Sequence, residues 1–174
     1  MSASERSGSQ TPLLELIGID KSFPGVKALS GINLKVMPGK VHVICGENGA
    51  GKSTLLMLMA RLLEPSQGSI TLDGVSAQTA SLTTDNGRIE VSNFNGSTLS
   101  GTTRNGKITM SGVTSQNVAA TIQNSGTLKL ENISANVCNA KVQNGSITGS
   151  VIGSGSSYGF ELAAGGGKIR VSDA

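Results

Sequence analysis

A glycine returns every 19 to 22 residues through the C-terminal part of this chain, at Gly68, Gly87, Gly106, Gly126, Gly145 and Gly167. Behind each stands the same short pattern: GSITL, GRIEV, GKITM, GTLKL, GSITG and GKIRV. Apolar residues hold the second and fourth places after the glycine with polar ones between, the period of a strand. Val75, Phe94, Val113, Ile133 and Ile152 follow in register. A weaker alternating segment closes the repeat, as in Val118, Ala120 and Ile122 or Cys138, Ala140 and Val142; after a GSGSS interruption Tyr158, Phe160 and Leu162 resume the phase. Two short strands cannot bury an apolar face alone, so equivalent segments must stack. The pattern predicts a parallel β-solenoid of about five rungs, with Ile89, Ile108, Leu128, Ile147 and Ile169 in one inward column. Glycine would supply left-handed turns, and the polar residues before it (Gln67, Asn86, Asn105, Asn144) would stack along a corner. An antiparallel meander or sandwich needs similar strand lengths and turn signals, but a fixed period with unchanged phase favours the solenoid.

Composition changes where the repeat begins. All four prolines lie in the first 65 residues, whereas 16 of the 24 glycines and ten of the twelve asparagines follow. Such a break marks a domain boundary, predicting a disordered tail over residues 1–12, a first segment over 13–66 and the repeat over 67–174. A net charge of +3 is too small to imply nucleic acid. Cys45 and Cys138 build neither a disulfide framework nor a zinc site, and the single histidine, His42, excludes a His-ligated metal centre. Residues 1–12 are polar and lack the apolar run of a signal peptide, and the apolar stretch from Leu55 to Leu63 is too short to span a bilayer. These features predict a cytoplasmic chain without membrane insertion. Six acidic residues in the repeats form no regular ladder for calcium, and the Asn-Gly-Ser triplets at Asn95 and Asn144 read as turns rather than glycosylation acceptors.

The first segment carries the chemistry. LLELIGIDKSF alternates at Leu14, Leu16 and Ile19 and reads as a strand ending at Pro24-Gly25; INLKVMPGK reads as a second. VHVIC, residues 41–45, reads as a buried strand holding His42 as a structural residue. GENGAGKS follows, then the helical stretch TLLMLMARLL, whose Arg61 and Glu64 read as a solvated end. Strand, glycine-rich loop, Gly-Lys-Ser and helix, in that order, make a Walker A phosphate loop. Gly46, Gly49 and Gly51 let the loop curl its amides inward around an anion. The helix N-terminus adds partial positive charge, Lys52 reaches the terminal phosphates and Ser53 offers a hydroxyl to Mg²⁺. In the empty loop the lysine is expected to face solvent.

Through KSFPGVKAL, INLKVMPGKVHVICGENGAGKSTLL and LLEPSQGSITLDG, residues 13 to about 74 resemble the N-terminal part of ABC-transporter ATPases of the sugar-import branch. The resemblance implies ATP with Mg²⁺ as ligands and transporter membrane subunits as partners. It implies that Phe23 stacks on adenine, and that Gly46, Glu47, Asn48, Gly49, Ala50, Gly51, Lys52, Ser53 and Thr54 form the phosphate cradle. The repeat in turn resembles adhesin-type bacterial β-solenoid domains. The whole reads as a mixed chain, a short α/β P-loop segment followed by a parallel β-solenoid. LEPSQGSITLDG belongs to both patterns, as a natural fusion, a recombined chain or a built chimera would each produce.

The family's other catalytic parts do not appear. After Gly74 there is no apolar run ending in Asp-Glu and no histidine, and Leu99-Ser100-Gly101-Thr102 lacks the Gly-Gln of a signature segment. The resemblance therefore implies nucleotide binding without carrying over turnover. The alternative is a structural or adhesin-like solenoid with the P-loop piece as a vestigial cap; an ATPase completed in trans ranks third. The lost Walker B neighbour leaves residues 41–45 to find a new partner or stay exposed, and the N-terminal segment is free to cap the first rung.

Overall fold

The computed structural model describes residues 12–59, 65–152 and 159–173. The expectations for the tail, for Arg61 and Glu64, and for Tyr158 with the GSGSS interruption lie outside the described residues. Strand β1 (Leu14–Phe23) turns at Pro24-Gly25 into β2 (Val26–Val36). Helix α1 (Lys52–Met59) follows, then β3 (Gln67–Asp73), β4 (Ser76–Ser92), the long β5 (Asn95–Val151), β6 (Gly159–Ala164) and β7 (Ile169–Asp173). The chain is mostly strand with one helix, a mixed sheet and a parallel solenoid-like stack of about five turns.

Within the sheet the order is β2-β1-β3-β4-β5-β6, with β7 also on β5. β1 pairs antiparallel with both β2 and β3, whereas β3–β4, β4–β5, β5–β6 and β5–β7 all pair in parallel. Ile70 faces Ile89 and Ile89 faces Ile108, with Gly68, Gly87 and Gly106 aligned two residues earlier. That parallel, in-phase register excludes the meander. β3 is the pivot: one edge takes β1 and the other takes the first parallel neighbour, so the hairpin caps the stack.

The alternation of β1 slips one residue between Leu16 and Ile19, and the structure shows why. The register with β2 shifts there, Gly18 sits at φ +60°, and its N–H donates to Asn33 Oδ1 at 3.0 Å. This irregularity returns Ile19 to the inner face, where it is fully buried.

Two hydrophobic clusters result. In the larger, Ile89, Ile108, Leu128 and Ile147 are fully buried; Phe94, Val113 and Ile133 line a second row, and Val118, Ala120, Ile122, Cys138, Ala140 and Val142 close the far side. Ile169 pairs with Ile147 as predicted but remains 42% exposed. The smaller cluster joins Leu16, Ile19, Leu29, Leu55, Leu58 and Ile70. Leu14 and Leu82 pack against both.

The repeated glycine has a different cause from the one expected. Only Gly68, Gly106 and Gly145 of the six have left-handed φ, at +121°, +136° and +144°. From Gly87 onward, a Cβ added at each would strike the carbonyl oxygen of the glycine one rung back. Close approach between rungs, more than turn conformation, excludes a side chain there. Of the expected corner, one step forms: Asn105 Nδ2 donates to Asn86 Oδ1 at 2.9 Å, while Asn86 Nδ2 reaches Ser66 O at 3.4 Å instead of Gln67.

The predicted strand over residues 41–45 is absent. This stretch is irregular, with Val41 92% and Val43 77% exposed. The stretch pairs neither with β3, whose edges β1 and β4 hold, nor with the outer edge of β2, which ends the sheet; it stays exposed, one of the two outcomes expected for it. His42 is accordingly exposed rather than buried, and its Nε2 accepts the Met37 N–H at 2.9 Å across the Pro38-Gly39 turn.

Candidate functional site

The phosphate-loop sequence lies at the outer end of the hairpin. Gly49 and Gly51 adopt φ of +86° and +82°, a region closed to most side chains. Ala50 N–H donates to Glu47 O at 3.2 Å, making the loop's turn, and Leu55 N–H to Gly51 O at 2.9 Å opens α1. Leu55 and Leu58 anchor the helix in the smaller cluster. Gly51 fixes the loop against β2: a Cβ there would lie 2.6 Å from Ala28 O and 2.8 Å from Leu29 Cδ2.

Between β2 and the loop opens a cleft of about 330 Å³. Val26, Lys27 and Ala28 form one wall; Asn48, Gly49, Gly51, Lys52, Ser53 and Thr54 form the other. Two lysines and no carboxylate stand in this lining. Lys52 does not reach into solvent as expected. It is half-buried, and its Nζ donates to Gly46 O at 2.8 Å and to Glu47 O at 2.6 Å. Those two carbonyls hold the ammonium at the loop.

Gly46, Glu47 and Ala50 are exposed and shape the loop without lining the cleft. Phe23 stands at the hairpin end, 40% exposed, opposite Val26. It does not line the cleft itself, and Lys21 Nζ sits 5.4 Å from its ring centroid. The wall residues Val26, Lys27 and Ala28 were not singled out from sequence, although they stand inside KSFPGVKAL. Lys27 Nζ is 3.3 Å from Asp20 Oδ1. Asp20 also accepts the Gly31 N–H at 2.7 Å; that backbone bond, then Lys27, holds its carboxyl below the usual range.

A cleft lined by two lysines and a helix N-terminus, with no carboxylate residue in its lining, fits a polyphosphate. Ser53, the expected Mg²⁺ ligand, stands exposed in this lining; the other ligands of an ion held there would be phosphate oxygens and water. Asp73 and Asp85 do not line the cleft: Asp73 bonds Ser92 and Asn93, and Asp85 pairs with Arg104 at 2.7 Å.

The ABC transporter family profile matches residues 29–150, from β2 through the loop and into the stacked rungs. The ribose import ATP-binding protein RbsA 1 of Agrobacterium fabrum is 52% identical over 68 residues, 39% of this chain and 13% of that protein. The galactose/methyl galactoside import ATP-binding protein MglA of Escherichia coli is 45% identical over 89 residues, 50% of this chain and 18% of its own length. The chain thus spans less than a fifth of these relatives. No solved structure matches it. Among the described residues, no helix is long and apolar enough to cross a membrane.

Proposed function

This chain belongs to the ABC transporter family, and from that premise we propose that it binds ATP with Mg²⁺ in the cleft between β2 and the loop, with little or no turnover of its own. The observation that carries the reading is the cleft itself: Lys52, Ser53 and Thr54 line it with two glycines at positive φ, and it lies open rather than packed against the first rung. In this proposal residues 13–66 are the nucleotide-binding segment and residues 67–174 a solenoid of adhesin type joined to it. Gly46 to Thr54 cradle the phosphates, Lys52 meets the terminal ones and Ser53 completes the magnesium shell. Phe23 offers the base a face beside Val26. Bound magnesium would neutralise phosphate charge, while the loop orients the phosphates.

Turnover needs an acid that orients the attacking water, and the cleft lining supplies none. Phosphate release by the chain as it stands is therefore expected to match that of Lys52→Ala. The relatives' names point to sugar import. A cytoplasmic place beside transporter membrane subunits is the corresponding proposal for this chain.

Titration calorimetry tests the binding step. ATP affinity should disappear in Lys52→Ala, and Phe23→Ala should weaken ATP while sparing tripolyphosphate. Equal affinity in wild type and Lys52→Ala removes the proposal. One observation favours a second reading: among the described residues the stacked rungs hold twenty buried hydrophobic residues against six around the loop. If the wild type binds no nucleotide, the solenoid is the functional part and the P-loop segment its cap.

A further inference from the structure

We infer that Lys27 is a second phosphate-binding side chain of the cleft, parked on Asp20 until an anion takes it over. The inference rests on the nucleotide reading and adds to it a residue, on the opposite wall, that senses phosphate charge.

Lys27 lines the cleft from β2, facing the wall that carries Lys52, Ser53 and Thr54. Its ammonium is 3.3 Å from Asp20 Oδ1, with side-chain exposures of 52% and 26%. So exposed a pair is weak and screened by salt. The two partners differ in freedom. Asp20 is tied to the backbone by the Gly31 N–H at 2.7 Å, while Lys27 rides on a flexible four-carbon stem. A polyphosphate in the cleft offers several negative charges where Asp20 offers one, so the lysine gains by changing partner. The carboxylate left behind keeps its backbone bond and its access to water. Lys52 behaves oppositely, since two carbonyls already hold its ammonium at the loop. The cleft therefore has one cation fixed in place and one that swings in from the strand.

The test is calorimetric titration of the full chain with ATP and, separately, with tripolyphosphate, at low and moderate salt. Lys27→Met should weaken both ligands about tenfold, the size of one lost charge-assisted hydrogen bond, and should flatten the salt dependence. Lys27→Arg should stay within about twofold of wild type, because the charge remains. Asp20→Asn keeps an oxygen for the Gly31 N–H and frees the lysine, so both ligands should bind about two- to fivefold tighter. It also gives an independent reading if Lys27→Met does not fold. Wild-type affinity in Lys27→Met, or unchanged affinity in Asp20→Asn, overturns the inference. Loss for ATP alone overturns it too, since that lysine would be packing on the nucleoside. Failure of the parent reading looks different: the wild type would then bind neither ligand, or would bind as well as Lys52→Ala.

Discussion

The stacked rungs and the loop end differ in how each buries its apolar residues. Each rung repeats a solution its neighbour has already found, so Ile89, Ile108, Leu128 and Ile147 share one environment and are all fully buried. The hairpin, loop and helix have no repeat. They lean on a small cluster whose helical members, Leu55 and Leu58, keep 8% and 6% exposure, while Val41 and Val43 are left in solvent. The part with the phosphate-binding sequence is thus the less buried part, where local opening costs less and a ligand can be admitted. The rungs serve as the rigid support.

Core truncation should separate the two regions most sharply. Leu128→Ala is expected to cost about 2–5 kcal/mol in urea denaturation, and Leu55→Ala to fall at or below the bottom of that range, because its site is closer to solvent. Equal costs would mean that the loop end is built into the stack as tightly as a rung. Glycine replacement sharpens the contrast next. Gly126→Ala drives a Cβ into Gly106 O and should cost about 1–3 kcal/mol or more. Gly49→Ala meets nothing within 4 Å and should cost only about 1–2 kcal/mol, for its positive φ; its larger effect should be on nucleotide affinity.

The cysteines give a third comparison. Burial pushes the Cys138 thiol up to about 11, while Cys45 is exposed. A raised thiol pKa in the folded state contributes stability that is whole below the unfolded pKa and is lost as pH climbs through the folded one. Stability should therefore fall by about 3 kcal/mol between roughly pH 9 and 11, and Cys138→Ala should remove that fall. At neutral pH an aromatic disulfide reagent should label Cys45 quickly and Cys138 only on unfolding. Two fast thiols would mean that the rungs open as readily as the loop. The smallest effect is expected at Lys129→Ala, under about 0.5 kcal/mol, since its ion pair with Glu131 at 2.7 Å is exposed on both sides.

Features that depend on near neighbours along the chain were legible in the sequence. Period and phase specified the parallel stack, because alternation shows which side chains face inward and a constant repeat length aligns them. The order of loop, Gly-Lys-Ser and helix located one wall of the cleft, and the need for a curled loop picked out Gly46, Gly49 and Gly51, of which Gly49 and Gly51 adopt φ of +86° and +82°. Pairing, by contrast, was decided by tertiary structure. Residues 41–45 read as a buried strand, yet form none: hydrogen bonds across a sheet need a partner that docks alongside, and β1 and β4, not this stretch, lie against β3. The slip at Gly18, the glycine column's contact with carbonyls one rung away, and Lys27's place across from the loop have the same origin. Each depends on which segments come together in space, and residues that meet only across a turn of the stack leave no mark on the pattern of their own neighbours.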